Sequence, residues 1–278
     1  MTTIVVTGAS KGIGRATALH LDKKGFTVLA GVRSQADADQ LKQAASPRLQ
    51  TVMVDITNAA QVAQLAETVR QVVGQNGLDG LVNNAGIAVA APLEFLPIDE
   101  FRRQIEVNLT AHLMVTQALL PCIRQAKGRI INISSIGGRL AGPMLGAYHA
   151  SKFAMEGLTD SLRQELAPWG IKVVSIEPGA IATPIWESGA ATADRLLGLM
   201  PKQAQTYYQK GMDGARAFAA KATTDGLPAE RVAEAIEQAL TASKPRTRYP
   251  VGMDAKIGTR IIAHLPDNLR DRMLARRR

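Results

Sequence analysis

A doubly wound α/β domain, with one parallel sheet of seven strands and helices on both faces, is what this 278-residue sequence predicts. Three observations carry it. Apolar, β-rich runs alternate with helix-patterned segments along most of the chain. The strand runs are apolar on both faces, as strands between two helix layers must be. The first run ends in a glycine-rich turn, with Gly8, Gly12 and Gly14, that opens directly into a helix.

In chain order, residues 3–7 form the first predicted strand and residues 13–24 its helix. Strand 27–32 and helix 36–45 follow, then strand 49–54 and helix 59–73. Strand 78–82, a long helix over 98–125 and strand 129–133 continue the rhythm, which closes on helix 148–166 and strand 172–176. Residues 185–226 break it: this stretch is rich in Gly, Ala and Met and lacks a clear strand. An insertion of that length just after a strand end is the usual form of a substrate-binding lid. Helix 229–242 and strand 248–251 complete a single domain over 1–278, and residues 252–278 form an amphipathic, basic extension.

The chain is 46% hydrophobic and 21% charged, which leaves ample material for a core. No apolar run reaches the ~18 residues of a membrane-spanning helix. The N-terminus has no signal-peptide shape, since it already reads as strand and glycine loop. Cys122 is the lone cysteine, so no internal disulfide forms, and a buried thiol in a reducing, cytoplasmic setting is expected. His20, His112, His149 and His264 lack metal-ligand spacing and are read as structural or surface residues; no metal site is expected. The net charge of +9 is spread along the chain except at Arg270, Arg272, Arg276, Arg277 and Arg278. A basic solvated surface explains it without nucleic acid. Peripheral contact of the tail with a membrane, and contact with a neighbouring subunit, both remain open.

Two motifs carry chemistry. In Thr7-Gly8-Ala9-Ser10-Lys11-Gly12-Ile13-Gly14, glycines at a strand-to-helix turn let a pyrophosphate approach the backbone, and the helix N-terminus supplies N–H donors and positive dipole. At the end of the second strand, Gly31 stands near the position where an NAD site carries a carboxylate, and Arg33 follows. An acid repels a 2′-phosphate and an arginine binds it, so Arg33, with Lys11, favours NADP(H) over NAD(H). Further on, Tyr148 and Lys152 are four apart and share a helix face. The strand before them ends at Ser134-Ser135, and a glycine-rich bend brings a serine hydroxyl back toward the tyrosine. Hydroxyl, phenol and ammonium together suit proton transfer at a carbonyl oxygen.

With Asn83-Asn84-Ala85-Gly86, Asn108 and Pro178-Gly179 in the same order, the sequence resembles the short-chain dehydrogenase/reductase family over about residues 3–250. Its second-strand segment and C-terminal extension are most similar to the 17β-hydroxysteroid and retinol dehydrogenase group. The resemblance implies a Rossmann-like fold and an oxidoreductase acting on CH–OH groups. It makes Ser135, thirteen residues before Tyr148, the catalytic serine and Tyr148 the acid/base. Lys152 then holds the nicotinamide ribose and lowers the Tyr148 pKa, and Asn108 anchors a proton-relay water. Gly8, Ser10, Lys11, Gly12, Ile13 and Gly14 take the pyrophosphate and adenosine ribose. Asp55, followed by Ile56, receives the adenine amine. Asn84 and Gly86 border the adenosine, and Pro178, Gly179, Ile181 and Thr183 meet the nicotinamide. A free phenol titrates near pH 10, and a neighbouring ammonium with the nicotinamide charge is expected to move it toward neutrality.

The resemblance further implies a hydrophobic alcohol or ketone as substrate, steroid-like, retinoid-like or of a general carbonyl type. Reduction of a 3-oxoacyl carrier protein is the alternative, and a non-catalytic NADP-sensing module a distant one. A homodimer or homotetramer built on the two long helices is the family habit.

Overall fold

The computed structural model describes residues 2–275. It contains β1 (Thr3–Val6), α1 (Gly12–Lys23), β2 (Thr27–Val32), α2 (Gln35–Gln43), β3 (Leu49–Met53), α3 (Ala59–Val73) and β4 (Gly80–Asn83). Then come α4 (Ile98–Ile105), α5 (Ala111–Ala126), β5 (Arg129–Ile133), α6 (Gly146–Leu166) and β6 (Lys172–Pro178). The chain closes with α7 (Ile185–Leu199), α8 (Lys202–Asp225), α9 (Glu230–Thr241), β7 (Arg248–Val251), α10 (Met253–Arg260) and α11 (Asp267–Ala275). Arg276, Arg277 and Arg278 of the expected basic finish lie outside the described residues.

All seven strands are parallel, in the order β3-β2-β1-β4-β5-β6-β7. The strand pleat sorts side chains between two layers. Ile4 and Val6 join Leu21, Val232 and Ile236 under α1 and α9, whereas Val5 faces Leu65, Leu119 and Ile123 under α3 and α5. Each such fully buried aliphatic side chain contributes roughly 1.5–3 kcal/mol.

The long helix expected over 98–125 is interrupted. Glu106–Thr110 forms a π-helical turn between α4 and α5. Such turns cluster near functional sites, and this one carries Asn108. A buried polar ladder fixes α5 and α6 to the sheet: Asn83 Nδ2 donates to Thr116 Oγ1 and Asn132 Oδ1, and Asn132 Nδ2 donates to Thr159 Oγ1, all at 2.9 Å.

The 185–226 insertion is two helices. Trp186 of α7 meets Phe218 of α8 edge to face at 5.2 Å. Arg195 donates to Glu100 of α4 at 2.5 Å, and Tyr208 Oη donates to Glu94 at 2.7 Å. Leu196 is buried against Val89 and Ala91. The extension also folds back. Gly258 of α10 lies against Ile136 and Leu140, so close that a Cβ there would sit 2.4 Å from Ile136 Cδ1. No helix among the described residues is long and apolar enough to cross a membrane.

Candidate active site

The sheet order places the topological switch between β1 and β4, where the following loops separate and open a crevice beyond the strand ends. A cavity of about 680 Å³ occupies it. Its wall includes Gly8, Ser10, Lys11, Gly12, Ile13, Arg33, Asp55, Ile56, Asn84 and Gly86. Ser135, Tyr148, Lys152, Pro178, Gly179, Ile181 and Thr183 also line it. Of the expected catalytic and cofactor-binding residues, Gly14 and Asn108 stand outside that wall.

The glycine turn has the shape of an anion cradle. Gly8 and Gly12 adopt φ of 65° and 53°, a region that disfavours side chains. A Cβ on Gly8 would lie 2.8 Å from Ala85 Cα, and one on Gly14 only 2.2 Å from Gly8 O. Gly14 thus shapes the loop from behind. Asn84 Nδ2 holds the turn from the β4 side, donating to Thr7 O at 2.9 Å and Gly8 O at 3.1 Å. Lys11 is the N-cap residue of α1, makes no side-chain cap, and no acid sits in the first turn. The positive helix end therefore faces the cavity unneutralised, and a pyrophosphate fits there. Arg33 is exposed on the same wall. Asp55 accepts from the Thr57 N–H at 2.9 Å and its hydroxyl at 2.7 Å. Those two bonds, aided by the Arg33 charge, hold its carboxyl below the usual range against a smaller effect of burial.

At the other end, β5 delivers Ser135 and α6 delivers Tyr148 and Lys152. Ser135 Oγ accepts from Gly137 N at 2.9 Å, which pins the bend. Lys152 is 5% exposed, donates from Nζ to Ile133 O at 2.8 Å and lies 5.8 Å from the Tyr148 ring centre. Burial pushes Lys152 down to about 8, while Glu156 pushes it up. Tyr148 in the protein alone moves opposite to the direction expected with the nicotinamide bound. Its ring is half-buried, with protein packed densely around it, and that burial raises the phenol above 10; only the neighbouring Ser135 hydroxyl pulls it down. In the protein alone, desolvation outweighs the Ser135 hydrogen bond.

Asn108 is a clamp, not a wall residue. Its Oδ1 accepts from Ile87 N at 2.9 Å, and its Nδ2 donates to Ile87 O at 3.0 Å and Ser151 Oγ at 3.2 Å. It joins the loop after β4 to α6. His112, read from sequence as structural, is fully buried with Nε2 2.7 Å from Ala85 O. Burial, then the Lys152 charge, lowers it to about 3, so it is neutral. Two contributors escaped sequence reading. Thr7 Oγ1 accepts from the Asn84 and Ala85 N–H groups at 3.0 and 3.2 Å, with only its place before Gly8 as a signal. Asp254 of α10 accepts from Ala180 N at 2.8 Å and occupies the space beside Gly179, where a Cβ would be 2.1 Å from Asp254 Oδ1. No local pattern announces that contact. No group of three or more His, Cys, Asp or Glu among the described residues is placed to hold a metal ion.

The sequence profile of the family described as short chain dehydrogenase matches residues 2–194. Retinol dehydrogenase 5 from Mus musculus is 40% identical over 277 residues, 98% of this chain and 87% of its own length. The 17-beta-hydroxysteroid dehydrogenase type 6 of Bos taurus is 37% identical over 279 residues, 98% of this chain and 87% of that one. A short chain dehydrogenase from Burkholderia cenocepacia J2315, solved in complex with NADP, superposes with a TM-score of 0.76 at 27% identity, covering 98% of this chain and 97% of its own. The chain belongs to the short-chain dehydrogenase/reductase family of oxidoreductases acting on CH–OH groups, near its retinol and hydroxysteroid dehydrogenase members.

Proposed function

We propose that this protein is an NADP(H)-dependent oxidoreductase that interconverts an alcohol with a ketone or aldehyde on a hydrophobic, steroid- or retinoid-like substrate. The observation that carries the reading is one cavity shared by two cations, Lys11 and Arg33, and by Ser135, Tyr148 and Lys152. The glycine turn and the α1 N-terminus hold the pyrophosphate, and Arg33 and Lys11 take the 2′-phosphate. Asp55 and Ile56 border the adenine. Pro178, Gly179, Ile181 and Thr183 flank the nicotinamide, which supplies a hydride when bound. Tyr148 gives its proton to the substrate oxygen during reduction and takes it back during oxidation. Ser135 holds that oxygen in place, and Lys152 stabilises the phenolate left behind. Asn108 fixes the loop and helix that frame these groups.

The names of the relatives support a retinoid or steroid. So does the 185–226 insertion: α7 puts Ile185 and Trp186 in the cavity wall, and α8 backs Trp186 with Phe218. A homodimer or homotetramer along α5 and α6 belongs to the same reading, supported by Phe153, 46% exposed on α6. So does a cytoplasmic location, supported by the single, buried cysteine. The test is NADPH oxidation against a panel of steroids, retinal, small ketones and 3-oxoacyl thioesters. Turnover strongest on the steroid or retinoid arm is expected, with NADH a poorer donor. Turnover confined to the thioester, or preference for NADH, would overturn the substrate and cofactor readings respectively.

A further inference from the structure

Behind the reacting groups lies a buried charge cluster that the chemistry above does not use. Glu156 stands four residues after Lys152 on α6, one helical turn along the same face, and is 6% exposed. Its Oε1 accepts from Ser175 Oγ at 2.6 Å and its Oε2 from Arg248 Nε at 3.0 Å. Arg248, reaching in from β7, also donates to Asp160 at 2.7 Å and lies 3.3 Å from Glu177 Oε1. Arg139 approaches Glu177 from the loop after Ser135, at 4.0 Å.

We infer that Glu156 is a positioning residue for the reaction: locked by Ser175 and Arg248, its carboxylate is the counter-charge that keeps the buried Lys152 protonated. This rests on the role proposed for Lys152. The titratable groups facing Lys152 are Tyr148 and Glu156 on its own helix and His112 on α5. Tyr148 and His112 are uncharged at neutral pH, the first raised by burial and the second lowered by it. Glu156 is thus the one anion among them. The cluster around Glu156 includes Glu177 and Asp160, and Arg248 offsets their repulsion. Burial alone discharges an ammonium, and a neutral Lys152 no longer favours the phenolate that forms when Tyr148 releases its proton.

The test compares the pH profile of kcat/KM for ketone reduction in the wild type, Glu156→Gln and Glu156→Asp. Titration of the Lys152 amine by NMR of lysine-labelled protein, assigned with Lys152→Arg, gives a readout independent of turnover. In Glu156→Gln the alkaline limb and the amine titration both move to lower pH, and activity at about pH 8 falls roughly tenfold. Glu156→Asp restores most of both. Should Glu156→Gln not fold, Glu156→Gln combined with Arg248→Met and Glu177→Gln removes the buried charges together, leaves Asp160 paired with Arg163, and is expected to show the same displacement. A wild-type alkaline limb and amine titration that stay put in the Gln variants would overturn this inference alone. Full turnover in Lys152→Met would overturn the catalytic role of Lys152 and the inference with it.

Discussion

Replacing Gly14 by alanine tests the cradle through geometry alone. The added Cβ would lie 2.2 Å from Gly8 O and 2.4 Å from Asn84 Nδ2. Neither neighbour is a flexible tip: one is backbone of the turn, and the other is the amide that ties the turn to β4. Relief requires the loop to open by about 1.2 Å, the distance from 2.2 Å to an ordinary 3.4 Å contact. Overpacking of this kind costs about 1–3 kcal/mol. Strain released by opening the turn weakens NADPH binding by roughly 5- to 150-fold, since about 1.4 kcal/mol is a factor of ten. Strain retained in a closed turn lowers Tm by roughly 2–4 °C per kcal/mol in a chain of this size. Fluorescence titration of NADPH and a thermal melt read the two together, and at least one must move. Gly214→Ala is the control, since its Cβ meets nothing within 4 Å inside α8 and the variant gains about 0.5–1 kcal/mol. A Gly14→Ala protein with wild-type affinity and wild-type Tm would refute the assignment of the turn as a close-packed cradle.

Arg33→Asp is expected to shift the ratio of NADPH to NADH affinity by roughly ten- to a hundredfold toward NADH, the scale of hydrogen bonds to a charged group; an unchanged ratio places the 2′-phosphate elsewhere. Glu177 carries a stability signature of its own. Burial, reinforced by Glu156, pushes its carboxyl up from 4.5 to about 7 against the pull of Arg139 and Arg248. The native state then keeps a proton that the unfolded chain has released, so this group stabilises below about pH 4.5 and that contribution is lost as pH rises through about 7. Thermal melts across that window should show a decline with rising pH that Glu177→Gln flattens, and an identical slope in both proteins would contradict the burial argument.

Local pattern made much of this molecule legible. Buried parallel strands announce themselves as apolar runs, and the predicted bounds 27–32, 129–133 and 248–251 coincide with Thr27–Val32, Arg129–Ile133 and Arg248–Val251. The glycine turn and the Ser135–Tyr148–Lys152 spacing were readable because backbone approach and helix periodicity constrain residue type position by position. What escaped depends on contacts distant in sequence. The π-turn at Glu106–Thr110 has no composition of its own, and it turns Asn108 into a clamp between Ile87 and Ser151. Asp254 reaches Ala180 across 74 positions, and Arg248 reaches Glu156 across 92. The raised phenol of Tyr148 is a consequence of burial, which no motif states.

Tyr148→Phe tests the central claim most directly, because it removes one oxygen and leaves the ring and the rest of the cavity in place. Ketone reduction should fall by roughly a hundred- to ten-thousandfold, the usual share of general acid catalysis, while NADPH binds with nearly wild-type affinity. Wild-type turnover in that variant would show that the proton comes from another group and that this cavity does not work as described.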